Sequence, residues 1–349
     1  MIRFLFKGVI RDKGRSLLPV IVVSIGVMFT IILHCWINGI IGESITMSAN
    51  FNNGHLRVMT RAYAKEANQM PNDLALLKVD ALMKELRQSI PDLDWVRRIR
   101  FGALIDFPDS LGETRAQGPV VGWAIDFFSP GTREIKRFII KDAIVSGTIP
   151  LKPSDALISV DLADRFHIKP GETFTLFGTT MEGSMAFKNF RVSGIVRFGS
   201  NALDRGAIII DVTDAQSAFQ MEDAASEILG FFGNGKYNDE KASGIAALFN
   251  KKYLSSKDVY EPEMVSFKQQ EGMADLIDLT NMMSGIFIFV FVFAMSVVLW
   301  NAGLLGSLRR FNEFGVRLAL GEGKNHIYKT LLYEAVFVGF LGTLTGTVF

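Results

Sequence analysis

Side chains that could do chemistry are thinly spread in this chain of 349 residues, and their spacing argues against most reactions. The four histidines are His34, His55, His167 and His326. None has a cysteine, an acid pair or a second histidine at the short spacing by which metal ligands converge. The glycine-rich phrase 321-GEGKN-325 contains a lysine but lacks both the spacing and the hydroxyl of a phosphate-cradling loop. Ser154, Asp155, Asp161 and Asp164 crowd together, yet no G-x-S-x-G elbow presents a serine on a sharp turn. Serine and aspartate there are expected to cap a short helix over 161-DLADRF-166. The reading is of a chain with no catalytic, cofactor or metal site of its own. One acid stands apart. Glu334 lies in an apolar run, where a carboxylate is expensive and by default a functional candidate. It follows Lys329 by about one helical turn, so an interfacial position or a lysine partner would satisfy it, and the structural reading is preferred.

The elements that must position these residues are dominated by three apolar runs, Leu17–Ile41, Ser284–Leu308 and Leu331–Phe349. Each is long enough to cross a hydrocarbon core about 30 Å thick. The net charge of +1 implies no nucleic-acid partner, because the basic residues gather beside the apolar runs. Arg3, Lys7, Arg11, Lys13 and Arg15 precede the first, opposed only by Asp12, and Arg309, Arg310, Arg317, Lys324 and Lys329 follow the second. Positive flanks stay inside, which puts both on the cytoplasmic face and the region about Glu43–Asp278 outside. The first run is too long for the apolar core of a cleaved signal and lacks a small-residue cleavage site, so it reads as an anchor. Ile2, Leu5, Phe6 and Val9 share one face of an amphipathic segment before it. The expected organisation is a cytoplasmic segment 1–16, spans at 17–42, 279–308 and 329–349, an external domain 43–278 and a cytoplasmic helix within 309–328.

The external region reads as α/β in two subdomains, one mostly β and inserted in the other. Apolar periodicity predicts a helix over Asp73–Ser89, closed by Pro91. Alternating stretches predict strands at 101-FGALIDF-107, 170-PGETFTLFG-178, 188-KNFRVSGIVRFG-199 and 206-GAIIIDV-212. The stretch 141-KDAIVSGTIP-150 and the strand–helix phrase 156-ALISVDLADRFHI-168 add to these, and a β-α-β unit is expected across 226–265. The single cysteine, Cys35, lies in the first apolar run, so no disulfide braces this domain.

Between the last two runs, Phe311, Phe314, Gly315 and Leu318 share one helical face, and Arg310, Glu313 and Arg317 form a charged one. Gly321 is placed to stop that helix. In the third run Gly339, Gly342 and Gly346 include a G-x-x-x-G spacing suited to close helix packing.

The segment 301-NAGLLGSLRRFNEFGVRLALGEGKNHIYKTLLYEAVFVGFLGTLTG-346 resembles the FtsX/MacB-like ABC transporter permeases. Their pattern E-(I/F)-G-(I/V)-R-x-A-(L/I)-G is filled by Glu313, Phe314, Gly315, Val316, Arg317, Ala319, Leu320 and Gly321, with Glu334-Ala335 following. The phrase 7-KGVIRDKGRSLLPVIVVSIGV-27 resembles their first span, and 156–178 with 190–219 their periplasmic core domain. The resemblance implies a bacterial inner-membrane permease subunit without its own ATPase. A separate ATPase, carrying the ATP and magnesium, would dock on the helix of Arg310, Phe311, Glu313, Phe314, Gly315, Arg317, Leu318 and Gly321. A second permease subunit, the same or different, would complete the assembly. Hydrolysis would move the periplasmic domain, acting on lipoproteins or amphiphilic efflux substrates, in some branches with a periplasmic adaptor. Such permeases have four spans, so a third run ending at Phe349 is expected to be cut short of a fourth. Two other readings are a membrane sensor signalling from an external ligand-binding domain, and a regulator of a cell-wall hydrolase.

Overall fold

The structure is a computed structural model that describes residues 13–253, 258–270 and 272–348. The amphipathic face of Ile2, Leu5, Phe6 and Val9 lies outside the described residues. The chain forms two compact units, one of residues 1–44 and 275–349 and one of Ile45–Ala274.

The first unit is helical. Helix α1 runs Lys13–Ser48 and carries the first apolar run. It outlasts that run because 42-GESITMS-48 is polar without being helix-breaking. The helices of the other two apolar runs, Met273–Arg309 and Lys324–Val348, are also long and apolar enough to cross a membrane. Large apolar side chains, among them Phe29, Trp36, Phe289, Phe293 and Trp300, point away from the protein, as lipid-facing side chains do.

In the second unit the strands are β1 Leu56–Thr60, β2 Leu76–Leu77, β3 Leu93–Pro108, β4 Thr114–Ile125, β5 Ile144–Gly147, β6 Asp155–Ser159, β7 Thr173–Thr179, β8 Met185–Val196, β9 Ala207–Asp211, β10 Ala224–Ala225, β11 Glu227–Phe232 and β12 Pro262–Ser266. The helices that matter here are α2 Val79–Ser89, α3 Glu134–Arg137, α4 Ile140–Ala143, α5 Val160–Phe166, α6 Val212–Phe219 and α7 Asp239–Asn250. After them come α8 Met273–Arg309, α9 Phe311–Ala319 and α10 Lys324–Val348.

Two lobes share the 16-residue strand β3. In one, β11 and β12 both pair antiparallel to β1, so β11–α7–β12 is a β-α-β unit with β1 filling its middle. The lobe continues through β11 to the first half of β3. In the other, pairings run β3–β4–β9–β6–β8–β7 and return to β3, a closed six-stranded ring. Inward-facing Ile105, Phe107, Phe174, Leu176, Phe190, Val192, Ile158 and Ile210 belong to the main core. A second core on the outer wall joins Trp123, Ile125, Leu157, Val196 and Ile209 to Phe138 and Ile140 of α3–α4 and to Phe51. The expected insertion of a β subdomain in an α/β one holds, and closure of the inserted lobe into a ring is new.

Two sequence expectations are corrected. The helix expected over Asp73–Ser89 begins only at Val79. Asn72–Leu74 is a short 3₁₀ turn and Leu76–Leu77 is a strand paired with β10, so two leucines that fit helical spacing serve a sheet instead. Lys78, at φ 54, is the break between them. The Ser154 and Asp155 expected at a cap also do other work. The cap of α5 is Ser159, whose side chain makes no capping bond. Asp155 is a buried strand residue that accepts from Arg191 Nη2 at 2.8 Å and from the Leu151 amide at 3.1 Å.

Candidate functional site

Helix α9 is nine residues long and none of them is buried. Phe311 is 74% exposed and Val316 and Leu318 are also exposed, while Phe314 is half-buried, so among the described residues nothing buries the apolar face of this helix. Glu313 and Arg317 form an i,i+4 pair at 2.8 Å. The helix stops where glycine was expected to stop it. The Gly321 amide donates to the Leu318 carbonyl at 3.1 Å and the Glu322 amide to that of Arg317 at 3.0 Å. Gly321 is at φ 90, the left-handed residue such a double-bonded C-terminus requires.

Arg310, immediately before α9, does not share the exposed charged face. It forks onto Glu334 of α10, with Nη1 to Oε2 at 2.7 Å and Nη2 to Oε1 at 3.1 Å. The acid in the third apolar run therefore has an arginine partner, not a lysine. A planar guanidinium meets both carboxylate oxygens at once, which fixes α9 against α10 in angle as well as distance.

Of the three glycines, Gly342 and Gly346 pack and Gly339 does not. A Cβ at Gly342 would lie 2.5 Å from Val23 Cβ, and one at Gly346 would lie 2.5 Å from the Ser24 carbonyl oxygen. Ser24 and Thr345 share a hydroxyl hydrogen bond at the same crossing. At Gly339 a Cβ would meet nothing within 4 Å. Gly26 meets Met295 in the same way, so α1 packs on both other long helices.

In the external unit sequence reasoning missed a buried charge network. Arg98 of β3 and Glu134 of α3 are fully buried and form a fork at 2.7 and 3.2 Å. Glu134 also accepts from Arg137 at 2.8 Å, and Arg137 pairs with Asp94. The partners stand 36 residues apart along the chain, and no local pattern signals such a pairing. Arg98 and Arg137 also lie over the rings of Phe138 at 4.7 Å and Phe231 at 4.0 Å respectively. Beside them His55 stacks on Phe232 and its Nδ1 accepts from the Phe232 amide at 2.9 Å. Burial, helped by the nearby Arg137 charge, pushes the His55 pKa down to about 4. Among the described residues no group of three His, Cys, Asp or Glu side chains converges to hold a metal ion.

On the bare outer wall of the ring, Phe187, Phe177, Leu104 and Pro119 sit opposite one another across β8, β7, β3 and β4. Phe187 is 73% exposed.

Residues 16–239, more than half of the chain, match the family described as the MacB-like periplasmic core domain. Residues 285–349 match the FtsX-like permease C-terminal family. The chain belongs to the FtsX/MacB-like ABC permeases. A search of curated proteins finds no relative of significant similarity to this permease. Among solved structures it is similar to the periplasmic region of MacB from Actinobacillus actinomycetemcomitans, at 9% identity and a TM-score of 0.41, over 66% of this chain and 92% of that one. By the two family matches the permease joins helices long and apolar enough to cross a membrane to a MacB-like periplasmic core domain.

Proposed function

We propose that this permease couples ATP hydrolysis by a separate cytoplasmic ATPase to movement of its periplasmic domain. The observation that supports the reading is α9, a short helix between two apolar helices whose apolar face is exposed among the described residues, with a Glu313–Arg317 pair and a brace through Arg310 and Glu334. A subunit seated on α9 pushes on α8 through the chain and on α10 through the ion pair. ATP and magnesium belong to that subunit. The N-terminus and α9 face the cytoplasm of an inner membrane, and a second permease subunit covers part of the outward apolar surface. The substrates are lipoproteins or other amphiphiles, whose apolar parts would suit a row such as Phe187–Phe177–Leu104–Pro119.

The test is copurification in mild detergent, with mass spectrometry of what is bound. Wild type is expected to bring down a Walker-type ATPase that Glu313→Lys with Arg317→Glu does not. That double exchange keeps an i,i+4 pair of opposite charges but sets both against the helix dipole, so α9 should lose about 1–2 kcal/mol of local stability. An ATPase retained by the double variant would remove α9 from the coupling path, and none with wild type would sink the reading.

A further inference from the structure

Helix α1 does not end as an ordinary helix. It passes into a single π-turn, Ala49–Asn53, closed by the Gly54 amide on the Ala49 carbonyl at 2.8 Å. Gly54 is at φ 62, and a Cβ there would lie 2.7 Å from the Leu56 carbonyl, so glycine is required for the chain to leave the turn into β1. A helix end leaves its last carbonyls without donors, and isolated π-turns concentrate at functional sites.

Here two of those carbonyls are taken by buried side chains from different elements. Arg98 Nη1 of β3 donates to the Phe51 carbonyl at 3.1 Å. Gln270 Nε2, just before α8, donates to the Asn53 carbonyl at 3.0 Å. Within the turn Asn53 Nδ2 donates to Ser48 Oγ at 3.2 Å. The Phe51 ring is pinned edge-on against Phe138 at 4.9 Å and Phe198 at 5.2 Å.

The chemistry of Arg98 is specific to this arrangement. Its fork on Glu134 leaves the remaining N–H groups free to reach a carbonyl, which a lysine ammonium does not do in one fixed plane. A fully buried ion pair such as Arg98–Glu134 is seldom more stabilising than apolar residues of the same volume, and the best-attested use of one is to hold a register. The register held here is that of the turn where α1 enters the sheet.

We propose that Arg98, braced by Glu134, and Gln270 form a two-point clamp on this π-turn. They are positioning residues through which the end of α1, β3 and the start of α8 move together. The clamp rests on the force-transmitting reading above and specifies where the external domain takes up the movement.

Hydrogen–deuterium exchange on the full chain in detergent tests it. Arg98→Met with Glu134→Met fills the site without a stranded charge. Arg98→Glu with Glu134→Arg keeps an ion pair but removes the donor to Phe51, and adding Arg137→Leu avoids setting the new arginine against Arg137. In both, amides of residues 50–55 are expected to exchange at least tenfold faster, while β4 and β9 keep wild-type protection. A charge-swapped pair that restores wild-type protection at 50–55 would overturn the clamp, and so would faster exchange spread evenly over the domain. Should both variants fail to fold, Gln270→Leu decides, since it strands no charge. It should speed exchange at 53–55 a few-fold, and unchanged exchange there refutes the second contact and with it the clamp. The readout needs no ATPase, so absence of a copurifying ATPase would sink the proposed function and leave the clamp to be judged alone. With the ATPase bound, ATP-driven changes in exchange within β3 should be lost in the variants that melt near wild type.

Discussion

The same chemical device, an arginine forked onto a glutamate, occurs at two places and in two environments. Arg310 and Glu334 keep 22% and 25% of their side chains exposed, whereas Arg98 and Glu134 keep none. The first pair spans 24 residues of one helical hairpin. The second is tied to Arg137 and a main-chain carbonyl, so both of its own charges are answered inside the protein, and only Asp94 at the far end of the network reaches the surface. The difference teaches what burial does to an ion pair. The outer fork keeps part of both charges exposed, so it sets the angle of α9 on α10 while contributing little to stability. Nothing can replace a partner of the inner one, and it behaves as part of the frame.

The comparison breaks most visibly at Arg98→Ala, which strands Glu134 in the interior. The expected loss is about 3–5 kcal/mol of external-domain stability, measured by denaturant unfolding. A loss below about 1 kcal/mol would mean that the inner fork behaves like a surface pair.

Acid sharpens it next, through His55 beside the network. The folded-state pKa of about 4 lies below the ordinary 6.5, so the unfolded chain binds the extra proton first. Stability from this group is therefore complete above pH 6.5 and falls as pH drops toward 4, by about 3 kcal/mol in all. Unfolding of wild type and His55→Gln at pH 7 and pH 5 measures it. The glutamine variant, able to accept from the Phe232 amide without titrating, should lose less stability on acidification than wild type does.

The smallest effect belongs to the outer fork. Arg310→Ala or Glu334→Ala should cost about 1 kcal/mol or less in thermal stability, yet weaken ATPase-coupled movement. The exchange Arg310→Glu with Glu334→Arg should recover coupling, since it keeps an ion pair between the same two helices at a site where both side chains stay partly exposed. A swap that restores function at 310 and 334 but not at 98 and 134 would establish the contrast, and recovery at both would abolish it.

Much of the architecture was readable along the chain because it depends on local periodicity. Apolar runs of spanning length, the alternation in 101-FGALIDF-107 and the glycine stop at Gly321 each follow from neighbours a few residues apart. Reading failed where one local pattern suits two structures. Leu76 and Leu77 fit a helix by spacing and belong to β2 because β10 pairs with them. It failed again where a side chain answers to distant partners, as Asp155 does to Arg191.

The candidate site divides along the same line. Composition and short-range spacing determined that this is a membrane-crossing chain with an external α/β region, and that a charged amphipathic helix lies between its last two apolar runs. They singled out Glu334 as an acid needing a partner. Only the tertiary structure chose Arg310 over Lys329, separated Gly342 and Gly346 from Gly339, closed six strands into a ring and brought Arg98 to the carbonyl of Phe51. Hydrophobic periodicity is written in neighbouring residues, whereas the partner of a buried charge is set by which distant segments the core brings within about 3 Å of it.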